Sequence, residues 1–247
     1  MPLPPRVPST ALVFAWCGAV VFAVSLLFFL YCYFVAFGRP VAPAAAAQPI
    51  AIDAILFTVF ALHHSVFARP AVKQFVTASL PGWLERSLYT WVSSLLFLFV
   101  CAGWRHVPGE LYHLGGLAAG AGYALQGLAI WLTARSSARL DVLDLAGVRP
   151  LLARGLTTPG SHAEADHVPL ITTGLYGFVR HPLYFSWALL VFAAPHMTMT
   201  RFTFAMLSTG YLAIAIPFEE RSLLAVFGPR YRDYQLNVRW RMIPGVY

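Results

Sequence analysis

Two polar segments in the C-terminal third of the chain contain the residue types best suited to hold a charged ligand. Residues 174–184 read Gly-Leu-Tyr-Gly-Phe-Val-Arg-His-Pro-Leu-Tyr, so that Arg180 and His181 directly precede Pro182. Proline is favoured at the first position of a helix, and a helix N-terminus with free backbone N–H groups favours an anion. The segment therefore predicts a site for a carboxylate, with Arg180 and His181 as further donors.

The second segment supplies carboxylates followed by aromatic rings. Glu219 and Glu220 end an apolar run, and Phe227, Tyr231 and Tyr234 follow them. Acidic residues near a helix C-terminus oppose the helix dipole, so the pair predicts a ligand or an arginine partner. Carboxylates can bind an amino group or ribose hydroxyls, and aromatic rings can contact an adenine or a sulfonium cation. Together the segments suit a ligand that combines amine, carboxylate, sugar, base and positive sulfur.

The elements that must position these residues are apolar. Hydrophobic residues make up 59% of the 247-residue chain and charged residues only 11%, against about 25% charged in soluble proteins. The composition predicts an integral membrane protein that is an all-α, polytopic bundle of transmembrane helices. We expect one membrane domain over residues 1–247, with a four-span part at 1–133 and a cofactor-binding part at 134–247. Six apolar runs are candidate spans: 11–37, 50–68, 88–104, 114–133, 183–198 and 202–218.

Two of these runs carry further signals. The fifth is short and contains Pro195, so we expect it to form a tight hairpin with the sixth that turns at residues 196–201. The fourth contains Gly115, Gly116, Gly120 and Gly122. No strand precedes these glycines, so they predict close helix packing and not a nucleotide-binding turn.

The basic residues give an orientation for the spans. In the six-span interpretation, 14 of the 17 Lys and Arg residues fall on one side, and only Arg39, Arg105 and Arg201 fall on the other. The positive-inside rule then predicts that both termini and both polar segments face the cytoplasm. His63 and His64, at the inner end of the second span, could line the same pocket, or could simply hydrogen-bond within the bundle.

Other ligand types are not favoured. The basic residues form no stripe, so the net charge of +7 does not predict nucleic-acid binding. The three cysteines lie apart in apolar runs and predict no disulfide. A polar loop at 155–169 holds four residues that could bind a metal, and solvation is their expected role: His162, Glu164, Asp166 and His167. We predict no metal.

The two polar segments also resemble a known superfamily. Gly-Leu-Tyr-x-x-Val-Arg-His-Pro-x-Tyr, a hydrophobic hairpin, and Glu-Glu-x-x-Leu-x-x-x-Phe-Gly-x-x-Tyr-x-x-Tyr are similar to the isoprenylcysteine carboxyl methyltransferase superfamily, which includes phospholipid and bacterial thiol methyltransferases. The resemblance covers residues 170–246. It implies a cytosolic S-adenosylmethionine site, open toward the bilayer, whose lining consists of eight residues: Tyr176, Arg180, His181, Pro182, Tyr184, Glu219, Glu220 and Tyr231.

Three upstream segments narrow the resemblance. Residues 62–70, 84–89 and 144–149 look like the bacterial methanethiol S-methyltransferase branch, although His63 and Pro150 stand where that branch tends to have glutamine. The resemblance implies a methyltransferase of the bacterial inner membrane that acts on a small thiol or a lipophilic acceptor. The alternatives are isoprenylcysteine carboxyl or phospholipid methylation, and a non-enzymatic haem- or ion-handling factor.

The expected chemistry is an in-line displacement on a sulfonium methyl group. A thiol acceptor must first lose its proton, so we expect a histidine or a local cationic field to favour the thiolate. The catalytic candidates are His64, Arg180 and His181, with membrane lipids as surrounding partners.

Overall fold

A computed structural model of the chain describes residues 8–42, 44–67, 69–81, 84–137, 143, 147–149, 151–152 and 170–247. These residues confirm the all-α expectation. Within them the helices are α1 (Ser9–Tyr31), continued by a π-helical turn (Cys32–Ala36), α2 (Ala47–Phe67), α3 (Pro70–Ser79), α4 (Glu85–Gly103), α5 (Gly116–Ser137), α6 (Pro182–Phe192), α7 (Met199–Phe227) and α8 (Pro229–Asn237). A 3₁₀ helix (Gly174–Gly177) and two short strands, β1 (Glu110–His113) and β2 (His196–Thr198), are also present. The predicted loop at 155–169, with His162, Glu164, Asp166 and His167, lies outside the described residues.

Five of the described helices are long and apolar enough to cross a membrane: α1 with its π-helical turn, α2, α4, α5 and α7. Helix α6 has 11 residues, or about 16 Å at the rise of an α-helix. That is about half of a hydrocarbon core of roughly 30 Å. Helix α6 alone is therefore too short to cross the core, in agreement with the prediction that the fifth run is short and interrupted by Pro195. It ends at Phe192 because Pro195 and a strand follow it.

The predicted hairpin turn between the last two apolar runs is present. Helix α6 ends at Phe192, and α7 begins at Met199 directly after β2. The Thr198 side chain caps α7 by accepting the N–H of Arg201 at 3.2 Å. The two helices pack through Trp187, whose indole N–H donates to the Ser208 hydroxyl at 3.0 Å. The sequence did not predict β2, which pairs antiparallel with β1.

The chain forms two compact units. The first consists of Met1–Ala36, Ile55–Trp104 and Leu140–His167, and in it α1 packs on α4. The second consists of Phe37–Ala54, Arg105–Arg139 and Val168–Tyr247, and in it α6 packs on both α5 and α7. All residues of the two polar segments belong to the second unit. The proposed division at residue 133 stays a prediction.

Of the four glycines at residues 115–122, in and just before α5, only one packs closely against the end of another helix, whereas the sequence predicted close packing for all four. A Cβ added at Gly122 would lie 3.0 Å from the carbonyl oxygen of Ala193 and 3.1 Å from Pro195. At Gly115, Gly116 and Gly120 no described atom lies within 4 Å of such a Cβ. The packing prediction is therefore confirmed for Gly122 and wrong for the other three, because only Gly122 faces the end of α6.

This difference predicts opposite effects of two alanine substitutions on one helix. Gly122→Ala is expected to lower the free energy of unfolding by about 1–3 kcal/mol, because the methyl group would push against backbone. Gly120→Ala, the matched control, is expected to raise it by up to about 1 kcal/mol through helix propensity alone. Thermal unfolding of both proteins in the same detergent measures the difference. Equal midpoints would show that α5 and α6 do not pack at Gly122.

Candidate active site

A buried ion pair joins the two polar segments. Arg180 Nε donates to Glu220 Oε1 at 2.7 Å, and the two residues are only 8% and 3% exposed. Arg180 Nη1 also donates to the carbonyl oxygens of Val238 at 2.6 Å and Arg239 at 3.0 Å. The expectation of an arginine partner for the acidic pair is thus confirmed at Glu220.

The Glu220 carboxylate is surrounded by donors. Gln235 Nε2 donates to its second oxygen at 3.1 Å, and Arg241 Nε lies 3.4 Å from the same oxygen. His181 Nε2 lies 3.4 Å from the first oxygen. A buried carboxylate with two guanidinium groups beside it is held in its charged form. Glu220 therefore ties α6, α7, α8 and the residues after α8 into one network.

Glu219 is placed differently from its neighbour. Its side chain is 44% exposed, and Oε2 accepts the Tyr184 hydroxyl at 2.8 Å, while His181 Nδ1 lies 3.7 Å away. The rings of His181 and Tyr184 stack at 5.4 Å with an angle of 7° between their planes. No described residue bonds Oε1 of Glu219. This oriented, half-exposed carboxylate can accept hydrogen bonds from a ligand.

The N-terminus of α6 is not the open anion site that the sequence predicts. Helix α6 begins at Pro182 as expected. However, the backbone N–H groups of Arg180 and His181 donate to the carbonyl oxygens of Trp240 and Arg241 at 2.9 and 2.8 Å. The prediction of free N–H groups before Pro182 is therefore wrong, because residues 238–247 return to this point and bond them.

The aromatic residues form a buried cluster beside the ion pair. Tyr231 and Tyr234 are 1% and 5% exposed, their ring centroids lie 5.7 Å apart, and Tyr176 packs against them. The Tyr234 hydroxyl donates to the Tyr176 carbonyl oxygen at 2.6 Å. Burial raises the pKa of both phenols, and the Glu220 carboxylate adds to the rise at Tyr231. Both hydroxyls thus stay protonated at neutral pH, and that of Tyr234 acts as a donor.

The eight residues with an implied cofactor role are therefore brought together in one unit. Six of them meet where α6 begins and α7 nears its end, namely Arg180, His181, Pro182, Tyr184, Glu219 and Glu220. Tyr176 and Tyr231 lie in the adjoining aromatic cluster. The acidic pair lies two turns before the end of α7 and does not close the helix, since α7 continues to Phe227. The roles of these residues as cofactor ligands stay predictions.

His64 belongs to the first unit. Its Nδ1 lies 2.9 Å from the Tyr89 hydroxyl, which also donates to the His64 carbonyl oxygen at 3.1 Å. The His63 ring stacks on Phe67 at 4.7 Å and on Tyr89 at 5.8 Å. Both histidines contact Tyr89, although adjacent helical positions point to different sides. The sequence left two roles open for these histidines, lining a pocket or hydrogen-bonding within the helix bundle. The hydrogen bonding is present at His64.

Comparison with known proteins identifies the family. No protein-family model matches the chain, and no solved structure matches it. Methanethiol S-methyltransferase 2 of Bradyrhizobium diazoefficiens is 36% identical over 199 residues, which cover 79% of this chain and 74% of the relative. Methanethiol S-methyltransferase of Mycobacterium tuberculosis is 34% identical over 231 residues, which cover 87% and 91%. The chain belongs to the methanethiol S-methyltransferase family.

Membership in the methanethiol S-methyltransferase family confirms the resemblance inferred from the motifs. The wider superfamily is also represented. Protein-S-isoprenylcysteine O-methyltransferase of Dictyostelium discoideum is 35% identical over 85 residues, or 33% of this chain and 35% of the relative. With five helices long and apolar enough to span a membrane among the described residues, the chain is a membrane methyltransferase.

Sequence reasoning missed several residues at the site of this methanethiol S-methyltransferase family member. Gln235 and Arg241 bond Glu220, and Trp240 supplies a carbonyl oxygen to the Arg180 N–H. Gln235 directly follows the last tyrosine of the second motif, so its position next to a motif residue was an available signal. The backbone partners at 238–241 follow no periodic pattern, and no feature of the sequence indicates them.

Proposed function

We propose that the protein transfers a methyl group from S-adenosylmethionine to a small thiol, with methanethiol as the acceptor. The observation that carries the proposal is the half-exposed Glu219 carboxylate, which Tyr184 holds beside a buried Arg180–Glu220 pair. Two named methanethiol S-methyltransferases align with most of the chain and support the same acceptor.

The residues present fit this cofactor. Glu219 Oε1 is open to an amino group or a ribose hydroxyl. The Arg241 side chain, which is 37% exposed and also contacts Glu220 and Tyr247, can offer a further N–H to a carboxylate. The stacked rings of His181 and Tyr184 offer an aromatic face to a base or a cation. When bound, S-adenosylmethionine supplies an electrophilic methyl group on a positively charged sulfur.

In the proposed reaction the protein positions the two substrates and accepts the thiol proton. The thiol proton passes to a histidine, His64 or His181, and the thiolate sulfur then forms a bond to the methyl carbon as the bond from that carbon to the sulfonium sulfur breaks. Arg180 contributes positive charge near His181 and holds Glu220. Fixed orientation of nucleophile and methyl group accounts for most of the expected acceleration.

A small acceptor is supported by the size of an apolar cleft in the first unit. The cleft has a volume of about 150 Å³, and His63, Phe67, Leu88 and Tyr89 are among the residues that line it. A cavity of roughly 150 Å³ accommodates a molecule of the size of benzene. Its size is compatible with methanethiol.

The orientation of the site is part of the same proposal. The excess of Lys and Arg residues on the predicted side of both polar segments supports an active site on the cytoplasmic face of a bacterial inner membrane. S-adenosylmethionine, a charged and water-soluble molecule, would reach the site from that side.

Methyl transfer by detergent-purified protein tests the proposed function. The reaction contains S-adenosylmethionine with a labelled methyl group and one of three acceptors: methanethiol, a prenylcysteine analogue, or phosphatidylethanolamine vesicles. We expect labelled dimethyl sulfide in the headspace with methanethiol, and at least about tenfold lower turnover with the other two. Turnover only with prenylcysteine or lipid would reject the thiol acceptor, and no transfer by folded protein to any acceptor would reject the function.

His64→Ala tests the source of the thiolate. If His64 takes the thiol proton, the variant is expected to lose about 100-fold in kcat/KM at neutral pH, the lower range for a general base. The loss should shrink as the pH approaches the pKa of the thiol itself, where the thiolate forms without a base. Rates measured from pH 6 to 10 would show this convergence. The exposed His106→Ala is the control, and a His64→Ala profile that overlays it would remove His64 from the mechanism.

A further inference from the structure

Three side chains that can bind a metal meet at the other end of the α6–α7 hairpin from the candidate active site. Glu110 and His113 belong to β1, and His196 belongs to β2. Glu110 Oε2 lies 2.9 Å from His196 Nε2, and the rings of His113 and His196 stack at 4.2 Å with planes 9° apart. One ligand atom from each of the three residues lies within 4.8 Å of the others.

An irregularity in β1 brings Glu110 and His113 to the same side. Successive residues of a regular strand point to opposite faces, so positions 110 and 113 would face apart. The pairing places Glu110 opposite Thr198 and His113 opposite His196, with a shift of register between Glu110 and Tyr112. A bulge of this kind adds a residue to one strand and changes the direction of its side chains. The bulge thus turns two potential ligands toward His196.

Backbone hydrogen bonds hold the three residues in this register. The Met199 N–H donates to the Gly109 carbonyl oxygen at 2.9 Å, and the Leu114 N–H donates to the Pro195 carbonyl oxygen at 2.8 Å. Arg201 Nη1 donates to the carbonyl oxygen of His196 at 2.6 Å. Both strands are therefore anchored on each side of the cluster, and only side-chain rotation is needed to adjust the three ligand atoms.

We propose that Glu110, His113 and His196 bind a divalent transition-metal ion of the Zn²⁺ class. Imidazole nitrogens and a carboxylate oxygen are ligands that Zn²⁺ accepts, in tetrahedral geometry at about 2.0–2.1 Å. Ligand atoms at that distance lie about 3.4 Å from one another. The rings of His113 and His196 lie in nearly parallel planes, so the exposed His113 ring must turn out of the stack for both nitrogen lone pairs to meet at one ion. Water would take the fourth position.

The ion has a structural role in this proposal. It would join β1, which leads into α5, to the turn between α6 and α7, and so hold three helices of the second unit. The site contains none of the residues assigned to methyl transfer. It also differs from the loop at 162–167, where the sequence suggested metal-ligand types, because Glu110 and His196 are 86 residues apart in the chain and meet only through strand pairing.

Zinc binding by full-length protein free of affinity histidines tests the proposal. Calorimetric titration of the parent with zinc chloride is expected to show one bound ion per chain. His113→Ala and His196→Ala should each weaken the affinity at least tenfold, Glu110→Gln should weaken it less, and His106→Ala, an exposed histidine before β1, should leave it unchanged. The calorimetric affinity for S-adenosylmethionine, measured on the same samples, should not change, which separates this test from that of the proposed function.

A second readout detects the ligands directly. The Cu²⁺-loaded parent should show nitrogen hyperfine couplings from two imidazoles in electron paramagnetic resonance, and His113→Ala should show one. Saturating Zn²⁺ should raise the thermal midpoint of the parent and of His106→Ala, but not of His113→Ala. Absence of stoichiometric binding by folded parent, or an equal loss of affinity in His106→Ala, would overturn the proposal and leave Glu110 and His196 as a surface hydrogen-bonded pair.

Discussion

Arg180→Ala is expected to destabilise the protein severely and to abolish cofactor binding. The substitution removes the partner that lies 2.7 Å from Glu220 and leaves the carbonyl oxygens of Val238 and Arg239 without their donor. Removing one member of a buried ion pair typically costs about 3–5 kcal/mol. Helix α8 and the residues after it should then detach from α7. Chemical unfolding followed by tryptophan fluorescence, together with calorimetric binding of S-adenosylmethionine, measures both effects.

Arg221→Ala is the matched control for this substitution. Arg221 follows Glu220 directly on α7 but is exposed, with its guanidinium over the ring of Phe218. We expect it to change the free energy of unfolding by less than about 1 kcal/mol. Arg180→Lys keeps the positive charge but loses the guanidinium group that reaches two carbonyl oxygens. We therefore expect its free energy of unfolding to lie between those of Arg180→Ala and the parent. Parent-like unfolding of Arg180→Ala would contradict a structural role for the pair.

Glu219→Ala is expected to give the opposite combination, a folded protein that binds S-adenosylmethionine poorly. Because the Glu219 side chain is 44% exposed and bonds Tyr184 alone at hydrogen-bond distance, its loss should change the free energy of unfolding by no more than about 1 kcal/mol. A hydrogen bond to a charged group contributes about 1.5–3 kcal/mol. The dissociation constant of S-adenosylmethionine should therefore rise about 10- to 100-fold, as calorimetry would show.

Tyr184→Phe separates the charge of Glu219 from its orientation. The variant keeps the carboxylate and removes the hydroxyl that holds it, so we expect a smaller loss of affinity than in Glu219→Ala. Unchanged affinity in Glu219→Ala would reject Glu219 as a cofactor ligand while leaving the Arg180–Glu220 network intact. The two substitutions thus distinguish a residue that shapes the site from one that contacts the cofactor.

The sequence predicted those features of the fold that depend on residues close together in the chain. Apolar length predicted the long helices, Pro182 predicted the start of α6, and Pro195 predicted its early end. The expected basic partner of the acidic pair is Arg180, although the reason given for it was wrong, because α7 continues to Phe227 and the pair does not lie at the helix end. Each of these inferences uses neighbours in the chain or one favourable pairing of charges.

Features that depend on distant backbone could not be predicted in this way. Residues 238–247 occupy the N–H groups before Pro182, although nothing in their composition indicates a partner. The pairing of β1 with β2 needs an exposed segment and a mostly buried one, which lie on opposite sides of α5 and α6 in the sequence, to meet. For Gly120 and Gly122, two residues apart on α5, only the position of α6 decides which glycine is packed.

The length of α7 affects how the enzyme meets its acceptor. A helix of 29 residues is about 43 Å long, whereas about 20 residues suffice to cross the hydrocarbon core. A crossing of about 20 residues that begins at Met199 would end just before Glu219 and would bring the acidic pair to the level of the lipid headgroups. An apolar, volatile thiol, the proposed acceptor, would partition into the bilayer before it reaches that level. Its apparent KM should then vary with the amount of lipid or detergent in the assay, at constant total thiol, and the cofactor KM should not.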